Sequence, residues 1–193
     1  AVPPVQRAFI SFKPVSVNTI SSMLRRLKTW KATGSDGLPP VILKNNHEYI
    51  ASSLTTIVNE SLQKGQFPTG FKAADICPVF KKGDRTQAAN YRPISLLPVA
   101  SKILERVVYE QLQTYIQSEP DLLPPQEFAY RRSHSCEDAL TLCVNRWHRC
   151  LDKGQCVAAA FLDLSKAFDC VDHTLLVSEL FDCGLGDTVL SWF

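Results

Sequence analysis

Hydrophobic side chains recur at helical intervals in three stretches of the first half of the chain. The first begins at Val17 and continues to Lys31. The second covers residues 50–62, and Gly65 predicts where that helix stops. The third and longest covers residues 99–118, where the apolar positions form a wide stripe: Ile103, Leu104, Val107, Val108, Leu112, Tyr115 and Ile116. A stripe of that width predicts a helix packed against much of the core.

Between the second and third helices the pattern changes from helical to extended. Residues 74–80 and 92–97 are two short extended stretches, and the loop that joins them is polar and basic. Such an arrangement predicts a β-hairpin over residues 75–96. Lys81 and Lys82 then lie near its tip, and Arg92 lies on the returning strand.

Residues 156–173, CVAAAFLDLSKAFDCVDH, are the most informative stretch. Every side chain from Cys156 to Leu162 is apolar, and a run of seven is typical of a strand buried on both faces. That strand would end at Asp163. A carboxylate at the end of a buried strand is poorly solvated, so it becomes protonated, forms hydrogen bonds or ion pairs, or binds a cation. Two interpretations follow: an aspartate that caps the next turn, or a metal-binding aspartate of a phosphoryl-transfer site.

Two further helices are predicted around this strand. Ser135 is placed to cap the first, in which three cysteines seven residues apart are expected to be small buried hydrophobes: Cys136, Cys143 and Cys150. The second covers residues 173–183 and stops at Gly184. The segment TGSDGLPP, residues 33–40, lacks the Gly-Lys-Ser/Thr ending of a phosphate-binding loop and is interpreted as a turn.

Composition limits the class of protein. The chain has 193 residues, 45% of them hydrophobic and 21% charged, which is ordinary for one globular domain or a large part of a bigger one. No apolar run approaches the length of a membrane span, and no secretory signal is visible. Seven cysteines without a CxxC pair disfavour a disulfide scaffold and a structural zinc site, and favour a reducing, intracellular compartment. The apolar ending LSWF indicates a piece of a longer protein.

Charge is unevenly distributed along the chain. Residues 1–135 contain 17 Lys/Arg against 10 Asp/Glu, whereas residues 136–193 contain 4 against 9. A basic part joined to an acidic part is typical of an enzyme that binds a polyanion in one region and a metal ion in another. A solvated surface of mixed charge is the alternative. The basic part predicts weak, salt-sensitive binding to RNA and DNA.

Four sequence blocks, in this order, resemble the reverse transcriptases of non-LTR (LINE-type) retrotransposons. They are KATGSDGLPPVILK (31–44), FKAADICPVFKKGDRTQAANYRPISLLPVASKILERVV (71–108), EFAYRRSHSCEDAL (127–140) and AAFLDLSKAFDCVDHTLL (159–176). The resemblance covers nearly the whole chain from residue 15 onward.

The resemblance implies an α/β (α+β) fold of the right-hand polymerase type. Residues 1–155 would form an N-terminal extension and helix-rich fingers with a β-hairpin. Residues 156–193 would form the first strand and helix of the palm. The implied function is RNA-directed DNA polymerisation by two-metal nucleotidyl transfer, with Mg²⁺ as cofactor. The implied partners are an RNA template, a DNA primer and deoxynucleoside triphosphates, with no membrane.

The resemblance also assigns roles to individual residues. Asp163 falls on the first catalytic, metal-binding aspartate, and the backbone carbonyl of Leu164 on a further metal ligand. Phe168 falls on the aromatic residue that screens the 2′-position of the sugar. The remaining positions are cations, namely Lys81, Lys82 and Arg92 for the triphosphate and Arg131 for the template-side segment.

Two departures from the family pattern limit these expectations. Glu127 stands where the family usually has Gln. The aromatic-x-Asp-Asp motif, which supplies the second set of metal ligands, does not occur in the sequence. One aspartate cannot organise two metal ions, so we expect this chain alone to be inactive.

Two other classes of protein compete with a polymerase. A haloacid-dehalogenase-like phosphotransferase also places an aspartate after a buried strand, but it needs a second aspartate where this chain has Ser165. A non-catalytic nucleic-acid-binding remnant of a degenerate element agrees with the missing motif.

Overall fold

The computed structural model describes residues 9–119, 122–164, 167–168 and 170–193. That part of the chain contains one two-stranded sheet and the following elements: α1 (Val17–Arg25), α2 (Pro40–Asn45), α3 (His47–Lys64), β1 (Asp75–Phe80), β2 (Tyr91–Leu96), α4 (Val99–Ser118), α5 (Cys136–Leu151), α6 (His173–Asp182) and α7 (Asp187–Leu190). They divide into two compact units. Unit 1 comprises residues 9–115 and 176–193, and unit 2 comprises the described residues of 116–175.

Helix α1 is shorter than its hydrophobic pattern predicts. It begins after Ser16, whose hydroxyl accepts a hydrogen bond from the Thr19 amide at 3.2 Å. It ends at Arg25 instead of continuing to Lys31. Aromatic and β-branched residues such as Trp30 and its neighbour Thr29 are weak helix formers. The chain turns there, and the Lys31 amide bonds to the Lys28 carbonyl at 3.3 Å.

The core of unit 1 forms where α1 packs against α3. Ile20 and Leu24 of α1 are fully buried, as is Val58 of α3. Helix α3 ends where predicted, at Gly65, which has a left-handed backbone with φ of 62°. The short helix α2 was not predicted; Pro40 occupies its first position, where a missing N–H costs nothing.

Two side-chain amides fix the segment before α1 to the helices beneath it. Asn59 of α3 accepts from the Val15 amide at 2.8 Å and donates to the Val15 carbonyl at 2.9 Å. Gln111 of α4 makes the same pair of bonds to Lys13, at 2.8 and 2.9 Å. Helix α4 spans Val99–Ser118, as its apolar stripe predicts, and buries Leu104, Val107 and Val108 among others.

The C-terminal residues of unit 1 are part of its core. Leu185, Val189 and Trp192 are buried, and the Trp192 indole donates to the Ser61 hydroxyl at 3.1 Å. The Tyr115 hydroxyl donates to the Cys183 carbonyl at 2.7 Å. Trp192 therefore packs within unit 1, whereas Phe193 is 49% exposed. The predicted division at residues 155 and 156 into fingers and palm stays a prediction.

Unit 2 lacks a core of its own, since none of its described residues is buried. Its one long helix, α5, begins with a reciprocal capping box between Ser135 and Asp138, as the predicted cap at Ser135 requires. The prediction of buried cysteines is wrong. Cys136 and Cys143 are exposed and Cys150 is half-buried, because no described element covers the apolar face of α5.

The predicted strand before Asp163 is also wrong in this structure. Residues 155–164 have no regular secondary structure, and Phe161 and Leu162 are 88% and 94% exposed. A strand forms only when its backbone groups pair with a neighbouring strand. Among the described residues, β1 and β2 pair only with each other. The apolar composition of the run predicted burial, but residues 155–164 are exposed and pair with no described strand.

None of the helices in the described part of the chain is both long enough and apolar enough to cross a membrane.

Candidate active site

The β-hairpin that carries the predicted triphosphate-binding cations forms as expected. Strands β1 and β2 are antiparallel, with Asp75 opposite Leu96 and Phe80 opposite Tyr91. Pro78 lies directly opposite Pro93. Because proline has no N–H, this is a non-hydrogen-bonded pair, and both prolines interrupt the outer edges of the hairpin. The hairpin is therefore a two-stranded arm that resists pairing with a further strand.

The loop at the tip of the hairpin is held by its own hydrogen bonds. The Asn90 side chain donates to the Asp84 carbonyl at 2.8 Å, and the Tyr91 hydroxyl donates to the Arg85 carbonyl at 2.9 Å. The Asp84 carboxylate accepts from the Thr86 amide at 2.9 Å. Hydrogen bonds from the backbone and side chain of Thr86 hold the pKa of Asp84 below its ordinary value. A fixed loop keeps the cations beside it in a defined place.

Alternation along the strands separates the cations by face. Arg92 is paired with Val79, so the two side chains share one face of the hairpin. The pairing continues one step further, since the Lys81 amide donates to the Asn90 carbonyl at 2.8 Å. Lys81 follows Val79 by two residues and therefore lies on the same face as Arg92.

The opposite face carries an aromatic pair. The rings of Phe80 and Tyr91 meet at 5.5 Å between centroids, and the Arg85 guanidinium lies over Phe80 at 4.7 Å. Arg85 is thus held by a ring, whereas Lys81, Lys82 and Arg92 are exposed and form no ion pair among the described residues. The sequence alone does not separate Lys81 from Lys82, whereas the register of the hairpin places Lys81 on the same face as Arg92.

The predicted catalytic aspartate lies in unit 2, in the irregular segment 155–164. Asp163 is exposed, and Leu164 is 78% exposed. Lys166 and Asp169, which belong to the same sequence block, lie outside the described residues. From the sequence we expect Arg92 and Asp163 to face one cleft. Because the two residues belong to different units, this stays a prediction.

Phe168, the predicted sugar-screening residue, has one notable neighbour. Its ring is 79% exposed and meets the Tyr130 ring edge-on, at 6.3 Å and 86°. Tyr130 has a left-handed backbone with φ of 57°, which is uncommon for a bulky residue. Tyr130 was not among the site residues predicted from the sequence. The segment EFAYRRSHS has no hydrophobic period, so no pattern indicated which of its residues would reach Phe168.

Arg131 and Asp172 both make local contacts. The Arg131 guanidinium donates to the carbonyls of Pro124 and Glu127 at 3.1 and 3.2 Å, which closes the loop before α5. The Asp172 carboxylate accepts from the Thr174 amide at 2.8 Å, at the start of α6. Asp172 therefore caps a helix.

Asp163 and the backbone carbonyl of Leu164 supply the kind of oxygen ligand that Mg²⁺ prefers, but too few ligands to complete a metal site. Magnesium prefers carboxylate and carbonyl oxygens and shares them with substrate phosphates. Within the described ranges, no group of three or more His, Cys, Asp or Glu side chains converges as a metal site. One carboxylate and one carbonyl can contribute to a metal centre, but the rest of its ligands must come from elsewhere.

Most of the basic hairpin and the segment that ends at Asp163 lie in a region that matches one known protein family. The profile of the family described as reverse transcriptase (RNA-dependent DNA polymerase) matches residues 79–193, which include every predicted site residue. The chain belongs to the reverse transcriptase family.

The chain is similar to several proteins of mobile elements. It is 31% identical over 160 residues to the RNA-directed DNA polymerase from mobile element jockey of Drosophila melanogaster, covering 82% of this chain and 17% of the relative. It is 30% identical over 178 residues to the probable RNA-directed DNA polymerase from transposon BS of the same species, covering 92% and 19%. The transposon TX1 uncharacterized 149 kDa protein of Xenopus laevis is 26% identical over 167 residues, with 86% and 12% covered. The resemblance to non-LTR reverse transcriptases is confirmed.

The chain spans less than a fifth of the length of each of these three relatives.

Proposed function

We propose that this chain is part of an RNA-directed DNA polymerase of a retrotransposon, in which it supplies the triphosphate-binding hairpin and one catalytic aspartate. The observation that carries the proposal is the fixed hairpin with Lys81 and Arg92 on one face. Its substrates would be an RNA template, a DNA primer and deoxynucleoside triphosphates. The seven free thiols support an intracellular location.

The hairpin cations suit the leaving group of nucleotidyl transfer. In that reaction the primer 3′-oxygen bonds to the α-phosphorus and pyrophosphate departs, so negative charge accumulates on the departing oxygens. Arg92 offers a planar fork to phosphate oxygens, and Lys81 offers a point charge beside it. Because Lys82 does not share the register of Lys81, we assign the triphosphate contact to Lys81.

The segment from Asp163 to Phe168 would supply the reacting end of the site. Asp163 and the Leu164 carbonyl would be ligands of a divalent metal ion, which stabilises charge on the attacking and leaving oxygens when bound. Phe168 would lie beneath the sugar, where a flat ring excludes a 2′-hydroxyl by shape. Tyr130 would hold the Phe168 ring by its edge-on contact.

The proposed architecture is a right-hand polymerase with residues 1–155 in the N-terminal extension and fingers and residues 156–193 in the palm. The chain alone would be inactive, since two-metal catalysis needs carboxylates from a second strand. A non-catalytic nucleic-acid-binding remnant is the second candidate, favoured by the exposed, unpaired segment 155–164.

Steady-state primer extension tests the role of the hairpin in a protein extended beyond Phe193 through the polymerase domain. Arg92→Gln should raise KM for deoxynucleoside triphosphates by about 10- to 100-fold, because a charge-assisted hydrogen bond contributes roughly 1.5–3 kcal/mol. Arg85→Gln is the matched control, since Arg85 lies over the ring on the opposite face. Equal KM changes in the two variants would mean that the hairpin contributes only general charge.

A further inference from the structure

An exposed tryptophan in unit 1, Trp30, lies outside the region that matches the reverse transcriptase family. Trp30 is 72% exposed, although tryptophan is among the most costly side chains to leave in water. It lies between α1 and α2, ahead of residues 79–193. Among the described residues of unit 1, none buries this ring.

The backbone turn places a cation on each side of this ring in sequence. The Lys31 amide bonds to the Lys28 carbonyl at 3.3 Å, so the residues that flank Trp30 are brought together. The Lys31 ammonium lies 4.8 Å from the centre of the indole ring, and that of Lys28 lies at 5.5 Å. The Lys44 ammonium donates to the Leu27 carbonyl at 3.1 Å, which ties the start of the turn to α2.

The surroundings of the turn are strongly basic. From Lys13 to Lys44 the sequence has six Lys or Arg residues and a single carboxylate, Asp36. Among the described residues, Lys28 and Lys31 form no ion pair with a carboxylate. No described carboxylate therefore neutralises these two charges. Both ammonium groups lie over the exposed indole, so a base that stacks on the ring would displace an ammonium group from it toward the phosphates.

We propose that Trp30 with Lys28 and Lys31 is a binding site for single-stranded nucleic acid. One base stacks on the indole, and the phosphates on either side of that base contact the two ammonium groups. An aromatic platform flanked by cations suits a nucleic-acid strand, because each nucleotide pairs a planar base with a negative phosphate. A duplex binds less well, since its bases already stack on each other.

This site would add a strand-binding role to the proposed function. It rests on that function only because a polymerase must hold single strands of template or primer. It does not depend on the hairpin or on Asp163. Its test is a binding measurement and needs no polymerase activity.

The experiment titrates the 193-residue chain with a fluorescent 12-nucleotide oligo-dT and with an abasic oligomer of equal length. Trp30→Leu keeps apolar bulk but removes the aromatic ring, so it should weaken oligo-dT binding at least five-fold. Trp30→Phe should recover part of the loss. Tyr49→Leu is the matched control, because Tyr49 is 83% exposed in the same unit and has no cation over its ring among the described residues. It should bind as the wild type does.

Salt dependence separates the lysines from the ring. Lys28→Gln combined with Lys31→Gln should reduce the slope of log K against log salt by about 1.4, since each phosphate contact on a single strand contributes about 0.7. Trp30→Leu should leave that slope unchanged and lower affinity at every salt concentration. The abasic oligomer should bind the wild type and Trp30→Leu equally.

Several results would overturn the inference. Unchanged oligo-dT binding in Trp30→Leu would do so, as would equal binding of oligo-dT and the abasic oligomer. An acidic peptide that binds as tightly, with the same dependence on Trp30, would reassign the site to a protein partner. If the binding loss is absent while Arg92→Gln still impairs triphosphate use, the Trp30 site fails and the proposed function stands. If no oligomer binds at all, both the site and the nucleic-acid-binding role of this chain fail.

Discussion

Gly65 ends α3 directly against the C-terminal segment, so Gly65→Ala tests how closely that segment packs on α3. Gly65 has φ of 62°, a conformation that side chains with a Cβ adopt at a cost of about 1–2 kcal/mol. A Cβ at this position would also overlap the Thr188 carbonyl oxygen and the Ser191 hydroxyl. The Ser191 hydroxyl now donates to the Gly65 carbonyl at 3.0 Å.

The loss in the free energy of unfolding expected for Gly65→Ala is the sum of the backbone cost and the cost of this overlap. Overpacking against backbone costs about 1–3 kcal/mol, because α7 must move away from the end of α3. Together with the backbone cost, Gly65→Ala should lower the free energy of unfolding by about 2–5 kcal/mol. That is a large part of the stability of an ordinary domain.

Urea denaturation followed by circular dichroism measures this loss, and Gly37→Ala is the matched control. Gly37 has φ of 66°, but nothing lies within 4 Å of the position that an alanine Cβ would occupy there. Its substitution therefore carries the backbone cost without the overlap, and should cost about 1–3 kcal/mol less than Gly65→Ala. Equal losses in the two variants would refute the claim that residues 185–193 pack against the end of α3.

Three further predictions concern single groups. Burial raises the pKa of the Cys183 thiol, and nearby carboxylates raise it further. Iodoacetamide should therefore modify Cys183 more slowly than the exposed Cys143. Peptide mass spectrometry measures the two rates. The pKa of Asp84 is lowered, so its contribution to loop stability is present near neutral pH and lost as the pH falls through that pKa; amide exchange at Thr86 should accelerate in acid, and a rate independent of this titration would contradict it. Phe168→Val in the extended polymerase should increase ribonucleotide incorporation, measured by competition with deoxynucleotides.

Local signals in the sequence predicted those parts of the fold that local interactions decide. The stop at Gly65, the cap at Ser135 and the bounds of α4 depend on nearby residues and on one broad apolar face. The hairpin was predictable because its two strands are neighbours in sequence and need no other partner. The end of α1 was not predictable from periodicity. Apolar residues keep helical spacing up to Lys31, but Thr29 and Trp30 are weak helix formers and the chain turns there.

The candidate site was predictable only in part, because burial and pairing depend on distant elements. An apolar run such as residues 156–162 indicates that a strand would be stable when covered, but not that a cover exists. The cysteines of α5 were interpreted as buried for the same reason. The contact between Tyr130 and Phe168 joins residues from two loops, and neither loop has a periodicity from which it could be derived.

Primer extension on an RNA template, with deoxynucleotides and Mg²⁺, tests the central claim most directly, in the protein extended through the polymerase domain. Asp163→Asn keeps the side-chain volume and removes the charge of the proposed metal ligand, so nucleotide addition should nearly cease. Asp172→Asn is the control, because asparagine also caps a helix and should preserve both α6 and activity. We expect residues 1–193 alone to give no extension. Full extension by Asp163→Asn, or robust extension by residues 1–193, would contradict the assignment of Asp163 as the catalytic aspartate.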